Sequence, residues 1–443
     1  GPNALKDSGE LRIYQKCYDQ LLTNFHVISF GILLPKDDGK SYEVLKAFRS
    51  LHFRPTRPDG RGLYPGKGGI RLAKSVSEAH VSELSFDMTI KCSLAKLPFG
   101  GGKGGIVVDP TTLTANERQR MLQIFTRKLC SLNAIGPLID VPAPDVGSNS
   151  TDMDTIRNEY RKYMEDNNGD LSNVNACITG KSVDKNGMVG RTESTGYGVG
   201  YCVDCFYEDS TDEVDSLVKR PHNNKITFIV QGLGNVGYHL AEHLINKGKV
   251  LIGVVGSKFS VYNEEGLKLE DFRRVKSKLE YIGKSKIITG PEKENILYKK
   301  CSILCLCALE NSITTDNASL IKADIIAEGA NGPITFDAHE ILKSKNIVCL
   351  PDILANAGGV IVSFFEWLTN LDQGSDVLEV IPDQFKGLKL DTKEEVLNHL
   401  KNLMQSTTKS VVSQAKSSGL GIDLRLASYL MVLQNITSSM SNN

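Results

Sequence analysis

From Lys225 onward, compact apolar runs alternate with stretches of helical period. The runs are Ile226 to Val230, Val250 to Val255, Ser302 to Cys305, Ile325 to Ala327 and Ile347 to Leu350. Such an alternation predicts a parallel sheet buried on both faces, with helices in the connections. The first part of the chain has another texture. Up to about residue 110 its apolar runs are short and broken by Gly and Pro. A helical period then sets in from Asn116 to Leu132, carried by Met121, Ile124, Phe125 and Leu129. A polar, glycine-containing stretch from Asp166 to Arg191 closes this part, and Lys393 to Lys416 and Leu424 to Ser439 predict two amphipathic helices near the end. The fold class is α/β.

Composition narrows the function classes. The chain has 443 residues, and its 52 Lys and Arg balance its 52 Asp and Glu. Nucleic acid and an anionic membrane both call for a basic excess or stripe, so neither is expected as a partner. With 40% hydrophobic residues there is apolar material for two or three cores, and no run approaches a membrane span. The cysteines, among them Cys17, Cys92, Cys130, Cys177 and Cys349, are scattered through apolar segments and read as buried free thiols of a reducing compartment. The pair Cys202 and Cys205, and the group Cys301, Cys305 and Cys307, lack a His or a second CxxC at ligand spacing, so no metal is expected. Gly1-Pro2-Asn3 reads as a tag remnant; the expected site is the cytoplasm, or an organelle if a targeting peptide was trimmed.

Gly232-Leu-Gly234-Asn-Val-Gly237 follows the run Ile226 to Val230 and opens a helical stretch, Val236 to Ile245. A strand, glycine turn and helix in this order predict a dinucleotide site: the glycines permit a tight turn and close backbone approach, and the helix N-terminus offers N–H groups to phosphates. An acidic residue normally closes the second strand to hold the ribose. Here stand Gly256, Ser257 and Lys258 after Val254-Val255. The missing carboxylate leans slightly to NADP, although a glycine there also leaves room for NAD.

Two segments carry lysine among glycines: Pro65-Gly66-Lys67-Gly68-Gly69-Ile70-Arg71 and Leu97-Pro98-Phe99-Gly100-Gly101-Gly102-Lys103-Gly104-Gly105. Glycine contributes no packing and weakens regular structure, so these segments read as places where a substrate approaches an ammonium group, not as sheet core. Lys103, bracketed by apolar residues, is expected to lose hydration and exchange protons near neutral pH. Lys91 lies in the run Phe86 to Leu94, which reads as buried, and needs an anion there; a substrate carboxylate would serve. In Asp140-Val-Pro-Ala-Pro-Asp145-Val-Gly147 the prolines stiffen the chain before Asp145, either as an ordinary capped turn or as a positioned carboxylate.

Together PGKGGIR, LPFGGGKGGI, DVPAPDVG, ITGK with GRTESTGYG, VQGLGNVG, AEGANGPIT and PDILANAGGVIVSFFEW resemble the glutamate dehydrogenases of the Glu/Leu/Phe/Val dehydrogenase family, in their hexameric small-subunit type, from about Ile32 to Gln434. The resemblance implies a substrate-binding and oligomerisation domain at 1–190, a doubly wound nucleotide domain at 191–390 facing it across a closing cleft, and C-terminal helices at 391–443 that return to the first. It implies Lys103 as catalytic lysine and Asp145 as proton carrier. It also places Lys91 at the α-carboxylate, Lys67 and Ser363 at the γ-carboxylate, and Ala143 and Val360 as the apolar wall. On the cofactor side it implies Gly232, Gly234, Asn235, Val236 and Gly237 at the phosphates, Thr195, Ala308 and Asn331 near the nicotinamide, and Asn356 beside them. Met88, a glutamine in some branches, and Leu306-Cys307-Ala308 depart from the family's pattern.

The implied activity is reversible NAD(P)-dependent oxidative deamination of L-glutamate to 2-oxoglutarate and ammonia, in a homohexamer. Two other readings stand beside it. One is a dehydrogenase of leucine, valine or phenylalanine, against which Lys67 argues, because an apolar substrate would strand its ammonium. The other is a non-catalytic nucleotide sensor, against which the joint presence of Lys103 and Asp145 argues.

Overall fold

Two sheets organise the chain. The computed structural model describes residues 21, 23–208, 214, 217, 218, 225–274 and 285–441; Cys17 and the first three residues lie outside them. The first sheet has the order β1-β2-β4-β3-β5, built from β1 (His26–Pro35), β2 (Tyr42–Phe53), β3 (Gly66–Leu72), β4 (Gly100–Ile106) and β5 (Asp140–Pro144). β2 runs antiparallel to both β1 and β4, whereas β3 is parallel to both β4 and β5. Three helices accompany it: α1 (Glu78–Leu94), α2 (Ala115–Ser131) and α3 (Ser150–Asp166). Sequence chemistry starts each of them. Ser77 accepts from the His80 N–H at the head of α1, and Thr114 with Glu117 and Asn149 with Asp152 form reciprocal capping boxes on α2 and α3. Met121, Phe125 and Leu129 of α2 enter a core with Ile32, Ile70, Ile106 and Ile156.

Both lysine–glycine segments are strands, β3 and β4, and every residue of β4 is buried. The sequence reading took glycine as unfit for a sheet core, and this is corrected by what lies against these strands. A Cβ on Gly101 would stand 2.1 Å from the Ser85 carbonyl of α1, one on Gly68 1.5 Å from the Gly102 carbonyl, and one on Gly100 1.7 Å from the Phe53 carbonyl. Backbone is packed on backbone, so only glycine fits. Beneath them the fully buried Arg49 donates to Gly68 O at 3.1 Å and forms a two-point ion pair with Asp140. Removing either partner would strand a buried charge, at a cost of about 3–5 kcal/mol.

The second sheet has the order β12-β11-β10-β6-β7-β8-β9. β6 (Thr227–Gln231), β7 (Val250–Val255), β10 (Cys301–Leu306), β11 (Ala323–Glu328) and β12 (Val348–Leu350) are parallel and match the five apolar runs; β8 (Phe259–Tyr262) and β9 (Lys286–Thr289) form an antiparallel edge. The strand order reverses between β6 and β10, the place where a doubly wound sheet takes its ligand. The longer helices here and beyond are α4 (Arg191–Tyr207), α5 (Asn235–Asn246), α6 (Phe336–Ser344), α7 (Gly358–Thr369), α8 (Lys393–Ser417) and α9 (Leu424–Ser441).

By internal contacts the first compact unit holds residues 1–191, 360–396 and 432–443, and the second holds 192–359 and 397–431. This division differs from the boundaries at 191 and 390 in assigning 360–396 to the first unit and 397–431 to the second. The chain changes unit inside α4, α7, α8 and α9, where no turn or composition shift marks the passage. Among the described residues no helix is long and apolar enough to cross a membrane.

Candidate active site and dinucleotide loop

In the first unit, three adjacent strands bring Lys103 of β4, Lys67 of β3 and Asp145, which follows β5, into one neighbourhood. Lys103 Nζ lies 2.9 Å from Asp145 Oδ2, and Arg71 Nε donates to the same oxygen at 2.9 Å. Burial pushes the Lys103 ammonium below its ordinary range, with Asp145 opposing. Burial alone would raise the Asp145 carboxyl, but the Lys103 and Arg71 charges outweigh it and hold it at about 2. Its main chain is fixed as well: the Asp145 N–H donates to Ser148 Oγ at 2.9 Å, and that hydroxyl donates to Ile70 O at 2.7 Å. Asp145 therefore caps no helix; Asn149 fills that role. Both cations meet the carboxylate at Oδ2.

Lys67 is 1% exposed, and no carboxylate of the described residues forms an ion pair with it. Burial, then the Arg191 charge, bring it down to about 7. Arg191, whose charge acts on Lys67, donates from Nε to Ser363 Oγ at 3.2 Å, so a second cation and a serine stand on this side of the lysine. Glu366, the carboxylate whose charge acts on Lys67, is already engaged, since it pairs with Lys181 at 2.7 Å and accepts the Gly180 N–H at 2.8 Å. Lys91 is buried in the last turn of α1, Ala143 is buried opposite Gly69, and Val360 is half-buried in α7. Arg71, Arg191 and Arg49 were not singled out in the sequence reading. Each acts through a contact across the fold, and no local pattern marks it.

In the second unit the glycine turn has the geometry of a phosphate cradle. Gly232 has φ +82°, a Cβ on Gly237 would lie 1.9 Å from the Gly232 carbonyl, and a Cβ on Gly234 would meet nothing within 4 Å. No side chain caps α5 at Gly234, which leaves its first N–H groups to a ligand. Asn235 is held away from them, donating to Thr192 O at 2.8 Å, and Val236 stands next to it in the first turn. The residues at this turn thus fit a dinucleotide.

The other expected cofactor residues fall in separate places. Ala308 packs against Gly232, as the 2.7 Å from a Gly232 Cβ to the Ala308 Cβ shows, and Thr195 adjoins Gly359. Asn356 donates to Asn331 Oδ1 at 2.9 Å. That loop is anchored by a cluster the sequence reading did not name: Asp352 accepts the Gly332 N–H at 2.9 Å, and Arg425 of α9 pairs with Asp352 and with fully buried Glu328. Burial lifts Glu328 to about 7 against the pull of Arg425. Gly256, Ser257 and Lys258 form the turn between β7 and β8, with Ser257 and Lys258 exposed and the Ser257 carbonyl accepting from Lys293 at 2.7 Å. The described cysteines are free thiols, and no group of His, Cys, Asp and Glu among the described residues is arranged to hold a metal.

Residues 187–443 match the profile of the Glutamate/Leucine/Phenylalanine/Valine dehydrogenases, and residues 26–162 match the Glu/Leu/Phe/Val dehydrogenase dimerisation domain. The chain is 36% identical to a catabolic NAD-specific glutamate dehydrogenase of Bacillus subtilis, over 89% of this chain and 83% of that protein. It is 37% identical to the NAD-specific glutamate dehydrogenase of Clostridioides difficile, over 80% and 79%. Among solved structures, Plasmodium falciparum glutamate dehydrogenase 2 superposes with a TM-score of 0.79 at 27% identity, covering 97% of this chain and 88% of that one. The slight lean to NADP finds no support in these NAD-specific relatives; a glycine after β7, Gly256, also leaves room for an unphosphorylated ribose. The chain belongs to the Glu/Leu/Phe/Val dehydrogenase family.

Proposed function

We propose that the protein catalyses the reversible oxidative deamination of L-glutamate: glutamate, NAD⁺ and water give 2-oxoglutarate, ammonium, NADH and a proton. The observation that carries the substrate assignment is Lys67, a fully buried lysine near Arg191 that forms no ion pair with a carboxylate among the described residues. A second substrate carboxylate supplies the missing anion, whereas an aliphatic side chain would leave the pocket charged and dry. This observation disfavours a leucine, valine or phenylalanine substrate.

In this reading Lys91 takes the α-carboxylate, Lys67 and Ser363 take the γ-carboxylate, and Ala143 and Val360 form the wall between. Asp145 Oδ1 receives the proton of the substrate amine. In the free site two cations hold this carboxyl at about 2; the two carboxylates of bound glutamate offset them and lift it towards the range where it accepts a proton. The buried Lys103 ammonium polarises the substrate carbonyl and, once it has lost a proton, activates the water that attacks the imine. The bound dinucleotide supplies the hydride acceptor. Gly232, Gly234, Val236 and Gly237 would hold its phosphates, Gly256, Ser257 and Lys258 its adenosine ribose, and Thr195, Ala308, Asn331 and Asn356 its nicotinamide. We take NAD as the cofactor, a homohexamer as the assembly, and the cytosol as a reducing site that suits the free thiols.

The test is absorbance of reduced nicotinamide with glutamate, norleucine or leucine as substrate and NAD or NADP as cofactor. Glutamate with NAD is expected to give the highest kcat/KM. A higher kcat/KM for leucine than for glutamate would overturn the assignment.

A further inference from the structure

The Lys103–Asp145 pair is held from outside by a third residue and a fourth. Arg71 Nε grips Asp145 Oδ2 at 2.9 Å, and Arg71 Nη1 lies 2.8 Å from Nε2 of His80. A guanidinium has no acceptor, so it donates in both contacts, and His80 Nε2 is the acceptor. His80 is well placed for this. Its own N–H is taken by the Ser77 cap, which fixes it in the first turn of α1, and its side chain is half-buried. Two ends of one planar fork are thereby satisfied at once, and the fork cannot rotate about its stem without losing a bond.

We propose that His80 is a positioning residue for the reaction: by accepting from Arg71 it sets the angle at which the guanidinium meets Asp145, and so keeps Oδ2 occupied and Oδ1 open to the substrate amine. The proposal rests on the amino-acid dehydrogenase reading of this site. The geometry needs an acceptor at this place, because the guanidinium can only donate. The charged groups around the ring are Arg71 of β3, then Asp145 and Lys103 beyond it. Lys74 in the preceding turn and Glu78 and Glu83 on α1 are exposed, and Asp87 lies two turns further along the helix.

The experiment compares kcat for glutamate in the parent, His80→Gln and His80→Leu, with the KM for NAD followed throughout. Gln keeps an acceptor; Leu has none. His80→Leu is expected to lower kcat about three- to tenfold at neutral pH with the KM for NAD unchanged, the size of a lost orienting hydrogen bond. His80→Gln is expected to restore kcat to within about twofold. Equal kcat in parent and Leu variant would overturn the proposal. If the Leu variant does not fold, His80→Ala takes its place, and a kcat equal to the parent's in it overturns the proposal. Turnover of glutamate by the parent separately tests the underlying reading, so a failure of either idea is recognisable.

Discussion

The two glycine-rich regions look alike in sequence and solve opposite problems. In β3 and β4 the glycines are enclosed: a methyl group on Gly68, Gly100 or Gly101 would collide with a carbonyl oxygen at 1.5, 1.7 or 2.1 Å. They let a helix and three strands pack so tightly that lysines can be lodged among them with little water. At the dinucleotide turn, Gly234 faces open space and Gly232 needs a positive φ. There glycine shapes a surface for a ligand to approach. One region uses the missing side chain for the protein's own backbone, the other for a guest's phosphates. A glycine motif therefore identifies a place of close approach without saying who approaches.

The largest expected effect lies at the enclosed region's chemistry. Lys103→Ala should lower kcat by about a thousandfold or more while NAD binding survives, because the transition state alone loses its electrophile and proton relay. Asp145→Asn should follow it, keeping the shape and losing the proton acceptor. Single-turnover kinetics with NAD binding measured on the same samples checks both, and near-parent turnover in either would remove that residue from the mechanism.

The comparison itself is broken or sharpened by two alanines. Gly101→Ala should destabilise the fold by about 1–3 kcal/mol or more, since the new methyl meets the Ser85 carbonyl and Thr89 Oγ1 and neither can yield. Gly234→Ala should leave the fold untouched and weaken NAD affinity, by about tenfold if one phosphate contact is displaced. Thermal unfolding and NAD titration of both variants check this, and equal melting temperatures would contradict the distinction.

A smaller effect concerns protons. Lys67 falls to about 7 in the free site, through burial first and Arg191 second. A bound carboxylate favours its charged form, so binding of glutarate should take up a fraction of a proton, approaching one, above that pH and little below it. Calorimetry in buffers of different ionisation enthalpy measures the uptake. None at alkaline pH would mean that no carboxylate reaches Lys67.

How much of this was readable in the sequence follows from where each contact lies. The five parallel strands were legible because burial on both faces leaves an uninterrupted apolar run. The dinucleotide turn was legible because strand, turn and helix are contiguous. Lys67, Lys103 and Asp145 could be listed, yet their spatial relation depends on β3 lying between β4 and β5, which no local pattern states. Arg49 with Asp140, Arg71 with Asp145 and Arg425 with Glu328 are separated by 91, 74 and 97 positions, and each is a charge whose purpose exists only after folding. The passage of the chain between its two units was hidden for a related reason. It happens inside continuous helices, where hydrophobic period carries on unchanged. β3 and β4 were misread because the evidence for a glycine strand is the backbone of another element.

The central claim is that the dry, positively charged pocket at Lys67 reads a second carboxylate on the substrate. The most direct measurement is the glutamate-to-norleucine ratio of kcat/KM in the parent and in Lys67→Leu. Loss of a buried hydrogen bond to a charged group is worth about 1.5–3 kcal/mol, so the ratio should fall by at least about tenfold, and norleucine should be less disfavoured because no ammonium is left unpaired. An unchanged ratio would contradict the account, since Lys67 would then not touch the part of the substrate that distinguishes glutamate from an aliphatic amino acid.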